Sequence, residues 1–171
     1  MSGTRTYRAL LAGALCWCLA IIAVPLLHAA GSLAAEGVAG FLDDCFARVC
    51  HQMDSRSFHL WGEPFGVCVR CTSIYGGFLL GMLMYPLWVG GSRRKAPSRW
   101  WLVGASCPTA LDAALNILGV AGSTELTRTV SGVLVGLVLP AYIVPLLAEA
   151  LSELSGGASA RRQPRMEEPH G

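Results

Sequence analysis

The chemically reactive residues of this chain are concentrated in one short segment, residues 50–71. The segment CHQMDSRSFHLWGEPFGVCVRC contains three cysteines, two histidines and two arginines, in a chain that is 53% hydrophobic. Cys68 and Cys71 have the Cys-x-x-Cys spacing of zinc ligands, and Cys50 and His51 could complete a site of three sulfurs and one nitrogen. If only three protein ligands hold the metal, water at the open position becomes a nucleophile near neutral pH.

Two other interpretations of these cysteines stay open. Outside the cytoplasm thiols oxidise, so Cys50 could form a structural disulfide with Cys68 or Cys71. Cys-x-x-Cys is also the dithiol of thiol–disulfide exchange, and Arg70 between the two cysteines could lower a thiolate pKa. Adjacent residues seldom both ligate one metal, so the metal interpretation also has two alternative fourth ligands, Cys45 and His59.

Four apolar segments predict that the rest of the chain crosses a membrane. Charged residues make up 14% of the chain, compared with about 25% in soluble domains. The predicted spans are residues 9–30, 72–91, 100–120 and 129–151, each near the roughly 20 residues that a transmembrane helix needs. The first could instead be a cleaved signal peptide, although its apolar run exceeds the roughly 7–15 residues of such a segment.

The basic residues predict the orientation of these spans. The net charge of +2 is too small to indicate nucleic acid binding, but the distribution of the charges is informative. Cytoplasmic segments carry an excess of lysine and arginine. Both termini are therefore predicted in the cytoplasm, with loop 31–71 extracytoplasmic. Nine of the thirteen basic residues lie in the three predicted cytoplasmic segments: Arg5, Arg8, Arg93, Arg94, Lys95, Arg99, Arg161, Arg162 and Arg165. The near absence of lysine also hints at a GC-rich bacterial genome.

The predicted fold class is all-α: an integral membrane four-helix bundle with a short amphipathic surface helix on the outer side. Residues 1–151 form one membrane domain, and the polar residues 152–171 are predicted to be a disordered cytoplasmic tail. The surface helix precedes Cys50, and its apolar residues recur at helical spacing. They are Val38, Phe41, Leu42, Phe46 and Val49.

One acidic residue lies inside a predicted span. An acid at mid-bilayer costs a few kcal/mol even on lenient insertion scales, so it usually faces the bundle interior and has a partner. Asp112, in the outer half of the third span, could pair with Arg128 at the outer end of the fourth. Alternatively, Asp112 is hydrogen-bonded by neighbouring serine or threonine, and Arg128 extends to the headgroups.

Together these residues predict an outward-facing site with catalytic, substrate-binding and metal-ligating residues on one side of the membrane. The substrate is predicted to be a lipid or an anion, because arginine binds phosphate as a bidentate donor. Whether the protein is an enzyme stays open. The predicted roles are catalytic for Asp112, Arg128 and His51, substrate-binding for Arg56, Arg70 and Tyr75, and ligation of zinc or another transition metal for Cys50, Cys68, Cys71 and His51.

The alternative function is a structural or accessory subunit of a membrane complex, with its outer loop held by disulfides. Small residues permit close helix contacts in membranes, and glycines recur in the second and fourth spans. These contacts could lie within the bundle, in a homo-oligomer or against another membrane protein. The glycines are Gly76, Gly77, Gly81, Gly132 and Gly136.

The pattern across residues 45–140 resembles a family of small prokaryotic multi-pass membrane proteins, the domain of unknown function 2085 family. Ser73 and Ala113 stand where the family pattern has glycine. The resemblance implies a multi-pass membrane protein with no assigned activity. The matching positions are Cys50, His51, Gln52, Arg56, Ser57, Cys68, Arg70, Cys71, Thr72, Tyr75, Gly77, Pro108, Asp112, Arg128 and Gly132.

Overall fold

The computed structural model describes residues 3–88, 97–120 and 122–160, most of which are helical. The predicted basic loop at 92–96, the end of the second span and residues 161–171 lie outside the described residues. A mostly helical fold is thus confirmed, but a small sheet interrupts it. The elements are α1 (Gly3–Ala30), α2 (Leu33–Ala47), β1 (Ser57–Leu60), β2 (Glu63–Cys68), α3 (Val69–Trp88), α4 (Arg99–Ile117), α5 (Glu125–Val138) and α6 (Pro140–Ala160), with a 3₁₀ turn at Asp54–Arg56.

Two helical segments of the described chain are long and apolar enough to cross a membrane. They are Thr4–Ala30, with a mean hydropathy of 2.5, and Glu125–Leu154, with a mean hydropathy of 2.2. They coincide with the first and last predicted spans. The spans at 72–91 and 100–120 correspond to α3 and α4 in position and stay predictions.

The last predicted span consists of two helices joined at Leu139. Pro140 has no backbone N–H, so it suits the first position of a new helix. The Leu139 carbonyl accepts hydrogen bonds from the N–H groups of Tyr142 and Ile143, which carry the chain into α6. α6 continues to Ala160, so residues 152–160 are helical where the sequence predicted a disordered tail.

α1 and α3 pack antiparallel. Near the start of α1 the Tyr7 hydroxyl donates a hydrogen bond of 2.9 Å to the carbonyl of Met82, late in α3. Further along α1 the ring of Trp17 lies 5.6 Å from that of Tyr75, early in α3. The end of the molecule that carries Cys50, Cys68 and Cys71 is called the cysteine end below.

α3 and α5 approach through backbone, along a glycine seam formed by Gly77, Gly81, Gly132 and Gly136. A Cβ at Gly77 would lie 2.7 Å from the Val133 carbonyl oxygen, and one at Gly132 would lie 2.8 Å from the Arg70 carbonyl oxygen. Any side chain would force the two helices apart. Gly76, predicted for the same face, has open space around its Cα and does not belong to the seam.

α2 coincides with the predicted amphipathic helix, but only part of its predicted apolar stripe is buried. Ala39 and Phe46 are buried, whereas Val38 and Phe41 are 51% and 67% exposed. The difference arises because one narrow stripe of α2 meets α1 and β2, and Phe46 lies edge-on against the ring of Trp17 at 5.2 Å.

His28, near the end of α1, ties α2 in place. Its Nδ1 lies 3.0 Å from a carboxylate oxygen of Glu36, and its Nε2 lies 3.0 Å from one of Asp43. Both nitrogens of one ring therefore contact carboxylates that lie about two turns apart on α2. This bridge sets the angle at which α2 leaves α1.

The sheet is a two-stranded antiparallel hairpin in a segment that the sequence predicted as loop. Leu60 pairs with Glu63, so Trp61 and Gly62 form a two-residue turn with φ of 54° and 90°. Positive φ at both positions is typical of the type I′ hairpin turn. Tryptophan is uncommon in that conformation, which concealed the turn from sequence reasoning. The hairpin packs by Gly66 against the side chains of Phe46 and Val24.

Candidate metal and anion site

Three cysteines from three elements meet at the cysteine end. Cys50 follows α2, where its N–H bonds the Phe46 carbonyl at 2.9 Å. Cys68 ends β2, and Cys71 lies in the first turn of α3. Their sulfur atoms all lie within 4.8 Å of one another. Zinc–sulfur bonds of about 2.3 Å place the sulfurs of a tetrahedral site about 3.8 Å apart, so small side-chain movements would bring these three onto one ion.

The surroundings of Cys68 favour its thiolate form. The Cys68 N–H donates a hydrogen bond of 3.2 Å to the sulfur of Cys50, which is buried at 7% exposure. A hydrogen bond from the Cys71 side chain, against the opposing effect of burial, lowers the pKa of Cys68 to about 5. The same hydrogen bond raises the pKa of Cys71, so the pair favours thiolate at Cys68 and retains the proton on Cys71. Thiolate is the form that binds metal.

Gln52 holds the segment that carries Cys50 against the hairpin. Its side-chain amide nitrogen donates to the Asp43 carbonyl at 3.1 Å and to the Gly66 carbonyl at 2.9 Å. Gln52 itself has a φ of 45°, an uncommon conformation for a residue with a side chain. The amide thus links α2, seven residues before Cys50, to β2, two residues before Cys68.

A cavity of about 390 Å³ opens beside the three sulfurs. Among the described residues that line it, three are arginines and none is acidic. The Nε of Arg70 is buried and has no hydrogen-bond partner within the described chain. The lining residues are Val49, Cys50, His51, Met53, Arg56, Cys68, Arg70, Cys71, Ile74 and Arg128.

Asp112 forms its ion pair with Arg70, so the predicted direct pair with Arg128 is wrong. The Asp112 carboxylate accepts a hydrogen bond from a terminal nitrogen of Arg70 and another of 2.6 Å from the Ser123 hydroxyl. The Nε of Arg128 in turn donates to that hydroxyl at 2.9 Å. Arg70, in the first turn of α3, contacts Asp112 of α4 directly. Arg128 is connected to Asp112 only through the Ser123 hydroxyl. The second sequence alternative is partly realised, because a serine does bond Asp112.

The other predicted site residues are divided between the cavity and its surroundings. His51 lines the cavity but is solvent-exposed and lies outside the group of three sulfurs. Tyr75 lies behind that group, against Trp17 in the apolar core. The alternative ligands also lie outside the group: His59 contacts Asp54 at 3.0 Å, and Cys45 is on α2. Their predicted chemical roles stay predictions.

The seven cysteines all belong to the described part of the chain, and each is a free thiol. Cys16, Cys18 and Cys107 lie on α1 and α4, within predicted spans. They stand apart from the cluster. The disulfide interpretation of Cys50, Cys68 and Cys71 stays a prediction beside the metal interpretation.

Two residues that hold the site together were not assigned roles from the sequence. Gln52 was noticed as part of the Cys-His-Gln pattern, which was the available signal. Ser123 lies in an ordinary stretch, AGSTELTR, and nothing in its spacing marked it. Its hydroxyl nevertheless joins Asp112 to Arg128.

Comparison with known proteins places the chain in a family of predicted membrane proteins. The family described as "Predicted membrane protein (DUF2085)" matches residues 50–142, a stretch that runs from Cys50 past Arg128. This chain belongs to that family, the domain of unknown function 2085 family, and the resemblance noted in the sequence is confirmed.

A relative of this class comes from an archaeon. Uncharacterized protein MJ1492 of Methanocaldococcus jannaschii is 35% identical over 106 residues, which cover 62% of this chain and 68% of that protein. No solved structure matches the chain. Because this relative is archaeal, membership of the family does not indicate a bacterial source.

Proposed function

We propose that this protein is a multi-pass membrane protein that holds a transition metal, with zinc as the first candidate, and binds a lipid or anionic substrate beside it. Cys50, Cys68 and Cys71 are the metal ligands. The site faces outward, and the fold is a four-helix bundle with both termini in the cytoplasm. The single observation that carries the proposal is the meeting of three sulfur atoms within 4.8 Å at the wall of an arginine-lined cavity.

The donor set supports the metal assignment. Thiolate is a common ligand of zinc, above all in structural sites, and it also occurs in some catalytic sites. The Cys68 N–H donates a hydrogen bond to the Cys50 sulfur. Hydrogen bonds of this kind orient a metal ligand without binding the metal themselves. Three protein ligands leave a fourth position for water or a substrate oxygen. His51 is then a general base at the exposed side of the cavity rather than a fourth ligand.

The charges around the cavity support the anion assignment. Arg56, Arg70 and Arg128 line it, and Asp112 neutralises only Arg70 among them. The terminal nitrogens of Arg128 make no hydrogen bond within the described residues, since its contact with Ser123 uses Nε. Guanidinium groups are planar and bind phosphate or carboxylate through two parallel hydrogen bonds.

The orientation in the membrane rests on the basic residues and on the helices. Nine of the thirteen basic residues fall in the segments assigned to the cytoplasm, as expected for a chain inserted with its positive segments inside. The two long apolar segments, Thr4–Ala30 and Glu125–Leu154, supply two of the four proposed spans. α3 and α4 would supply the other two.

Metal content tests the proposal. The full chain, purified in detergent without exposure to chelator, is expected to contain one equivalent of metal by mass spectrometry. Substitution of cobalt should give the intense sulfur-to-cobalt charge-transfer absorption of a thiolate site. Cys50→Ser, Cys68→Ser and Cys71→Ser should each lose the metal, whereas Cys107→Ser, at an exposed cysteine on α4, should keep it.

His51→Ala distinguishes a base from a ligand, because the variant should keep its metal and its cobalt spectrum. A preparation with no stoichiometric metal and no alkylatable thiol among these three cysteines would overturn the proposal. It would favour the disulfide-held structural subunit instead.

A further inference from the structure

A second cavity, almost entirely apolar, lies beside α3 where that helix faces α1. It has a volume of about 410 Å³ and is bounded by α1, α3 and the junction of α5 and α6. Gly13 and Ala14 contribute only small side chains to its α1 wall, and a Cβ at Gly13 would meet nothing within 4 Å. This cavity is called the apolar chamber below.

The apolar chamber and the arginine-lined cavity share a wall residue. Ile74 lines both, and Tyr75 beside it lines the chamber. Tyr75 packs on the same core cluster as Cys68 and Cys71. The arginine-lined cavity and the apolar chamber thus adjoin at Ile74.

The apolar chamber runs along the helices, away from the cysteine end. Its α1 lining extends from Trp17 back to Ala9, a distance of about 12 Å at 1.5 Å per residue. Because α1 and α3 are antiparallel, this direction leads from the cysteines toward the far end of the molecule. The direction matches that of an acyl chain whose headgroup lies at the cysteine end.

We propose that the substrate is a lipid phosphate, with its phosphate group among Arg56, Arg70 and Arg128 and its hydrocarbon chain in the apolar chamber. This inference rests on the proposed function and narrows its substrate to one amphipathic class. Charge complementarity selects the phosphate, because none of the described residues lining the arginine cavity is acidic. Because the two cavities share a wall at Ile74, we expect one ligand that occupies both through a hydrocarbon chain. Free phosphate would occupy only the arginine-lined cavity.

Fluorescence quenching of Trp17, which lines the chamber, tests this proposal. The full chain is prepared with Trp61, Trp88, Trp100 and Trp101 changed to phenylalanine, in detergent micelles that hold a small fraction of brominated lipid. Brominated phosphatidic acid should quench Trp17 at a roughly tenfold lower lipid fraction than brominated phosphatidylcholine, the size expected for one charge-assisted hydrogen bond.

Matched variants assign the two halves of the lipid. The double change Arg56→Gln and Arg128→Gln should remove the preference for phosphatidic acid, whereas Arg48→Gln, at an exposed arginine after α2, should preserve it. Gly13→Leu fills the chamber and should abolish the quenching. Gly104→Leu fills a different apolar cavity, of about 530 Å³ beside Trp100 and Trp101, and should leave the quenching unchanged.

Three results would overturn the proposal: equal quenching by the two lipids, a preference that survives Gly13→Leu, or arginine-dependent binding of inorganic phosphate without any preference for phosphatidic acid. The last would identify a free anion as the ligand. Metal analysis of the same samples separates the two proposals. Stoichiometric metal without lipid selectivity refutes the lipid phosphate alone, whereas absence of metal refutes the metal site whatever the quenching shows.

Discussion

The two sides of α3 are packed in opposite ways. Toward α5 the glycine seam brings backbone against backbone, so that a Cβ at Gly136 would lie 2.7 Å from the Phe78 nitrogen. Toward α1 the same helix borders an apolar chamber of about 410 Å³. The difference shows that α3 is fixed from one side and leaves room on the other. Contact through backbone holds α3 against α5 and leaves the space between α3 and α1 unfilled.

The fixed side also positions the site. Gly132 packs against the carbonyl of Arg70, and Gly136 packs against the backbone of Ile74 and Phe78. α5 therefore holds the part of α3 that carries the arginine, a cysteine and the shared wall of both cavities. Because the contact involves main-chain atoms, it fixes the start of α3 whatever side-chain conformations the site adopts.

The strongest test of this difference in packing is to add one methyl group at the contact between α3 and α5. Gly136→Ala should destabilise the fold by about 3 kcal/mol, the upper end for overpacking, because its Cβ would meet backbone that cannot move aside. SDS-induced unfolding in detergent micelles, followed by tryptophan fluorescence, measures this. Gly76→Ala, on α3 but in open space, should not lose stability, and equal losses in both variants would refute the seam.

A smaller loss is expected from the polar network that joins α3, α4 and α5 at the same side. Asp112→Asn leaves the Arg70 guanidinium without its counter-ion and should destabilise the fold by about 2 kcal/mol. That is less than the roughly 3–5 kcal/mol of a fully buried pair, since Arg70 is 27% exposed. The same unfolding measurement applies.

Two further variants check this assignment. Adding Arg70→Gln to Asp112→Asn should restore part of the loss, because neither charge is then left alone. Glu149→Gln, an exposed acid on α6, should change little. Additive losses in the double variant would show that the two side chains do not interact.

Between α1 and α3, the loss of one hydrogen bond should have a modest effect on stability. Tyr7→Phe removes the bond to the Met82 carbonyl and should reduce stability by about 1 kcal/mol. Tyr142→Phe, which removes an exposed bond of 2.7 Å to Ser98, should lose less than half of that amount. Thermal unfolding of both variants in one detergent gives the comparison, and a reversed order would contradict it.

The smallest expected effect has the opposite sign. Gly13→Ala places a methyl group in the apolar chamber, where nothing obstructs it, and alanine is the better helix former by up to about 1 kcal/mol. The variant should therefore be slightly more stable than the parent chain. A loss of stability at Gly13 comparable to that at Gly136 would mean that the two sides of α3 are packed alike.

Hydropathy and residue spacing predicted the helices and the end of the molecule where Cys50, Cys68, Cys71, Asp112 and Arg128 meet. The sequence could not choose the partner of Asp112. Arg70 and Arg128 lie at similar depth, and the choice depends on the rotation of α3 and α5 about their own axes. That rotation is set by the glycine seam.

Two other features were beyond sequence reasoning for different reasons. The hairpin depends on Trp61 at positive φ, a conformation for which its residue type gives no signal. The apolar chamber is the space that α1, α3 and α6 fail to fill, so it follows from three packing geometries at once. Single-chain periodicity carries no information about such a gap.

The glycine seam also has a consequence in time. It joins helices that are separated by all of α4, so Gly132 leaves the ribosome about 60 residues after Cys71. At roughly 5–20 residues per second this delay amounts to several seconds. Throughout that interval the three thiols are already made, but the helix that fixes the start of α3 is still being synthesised. An ion or an oxidant that reaches the nascent cysteines within that interval meets them before the finished architecture can influence the choice.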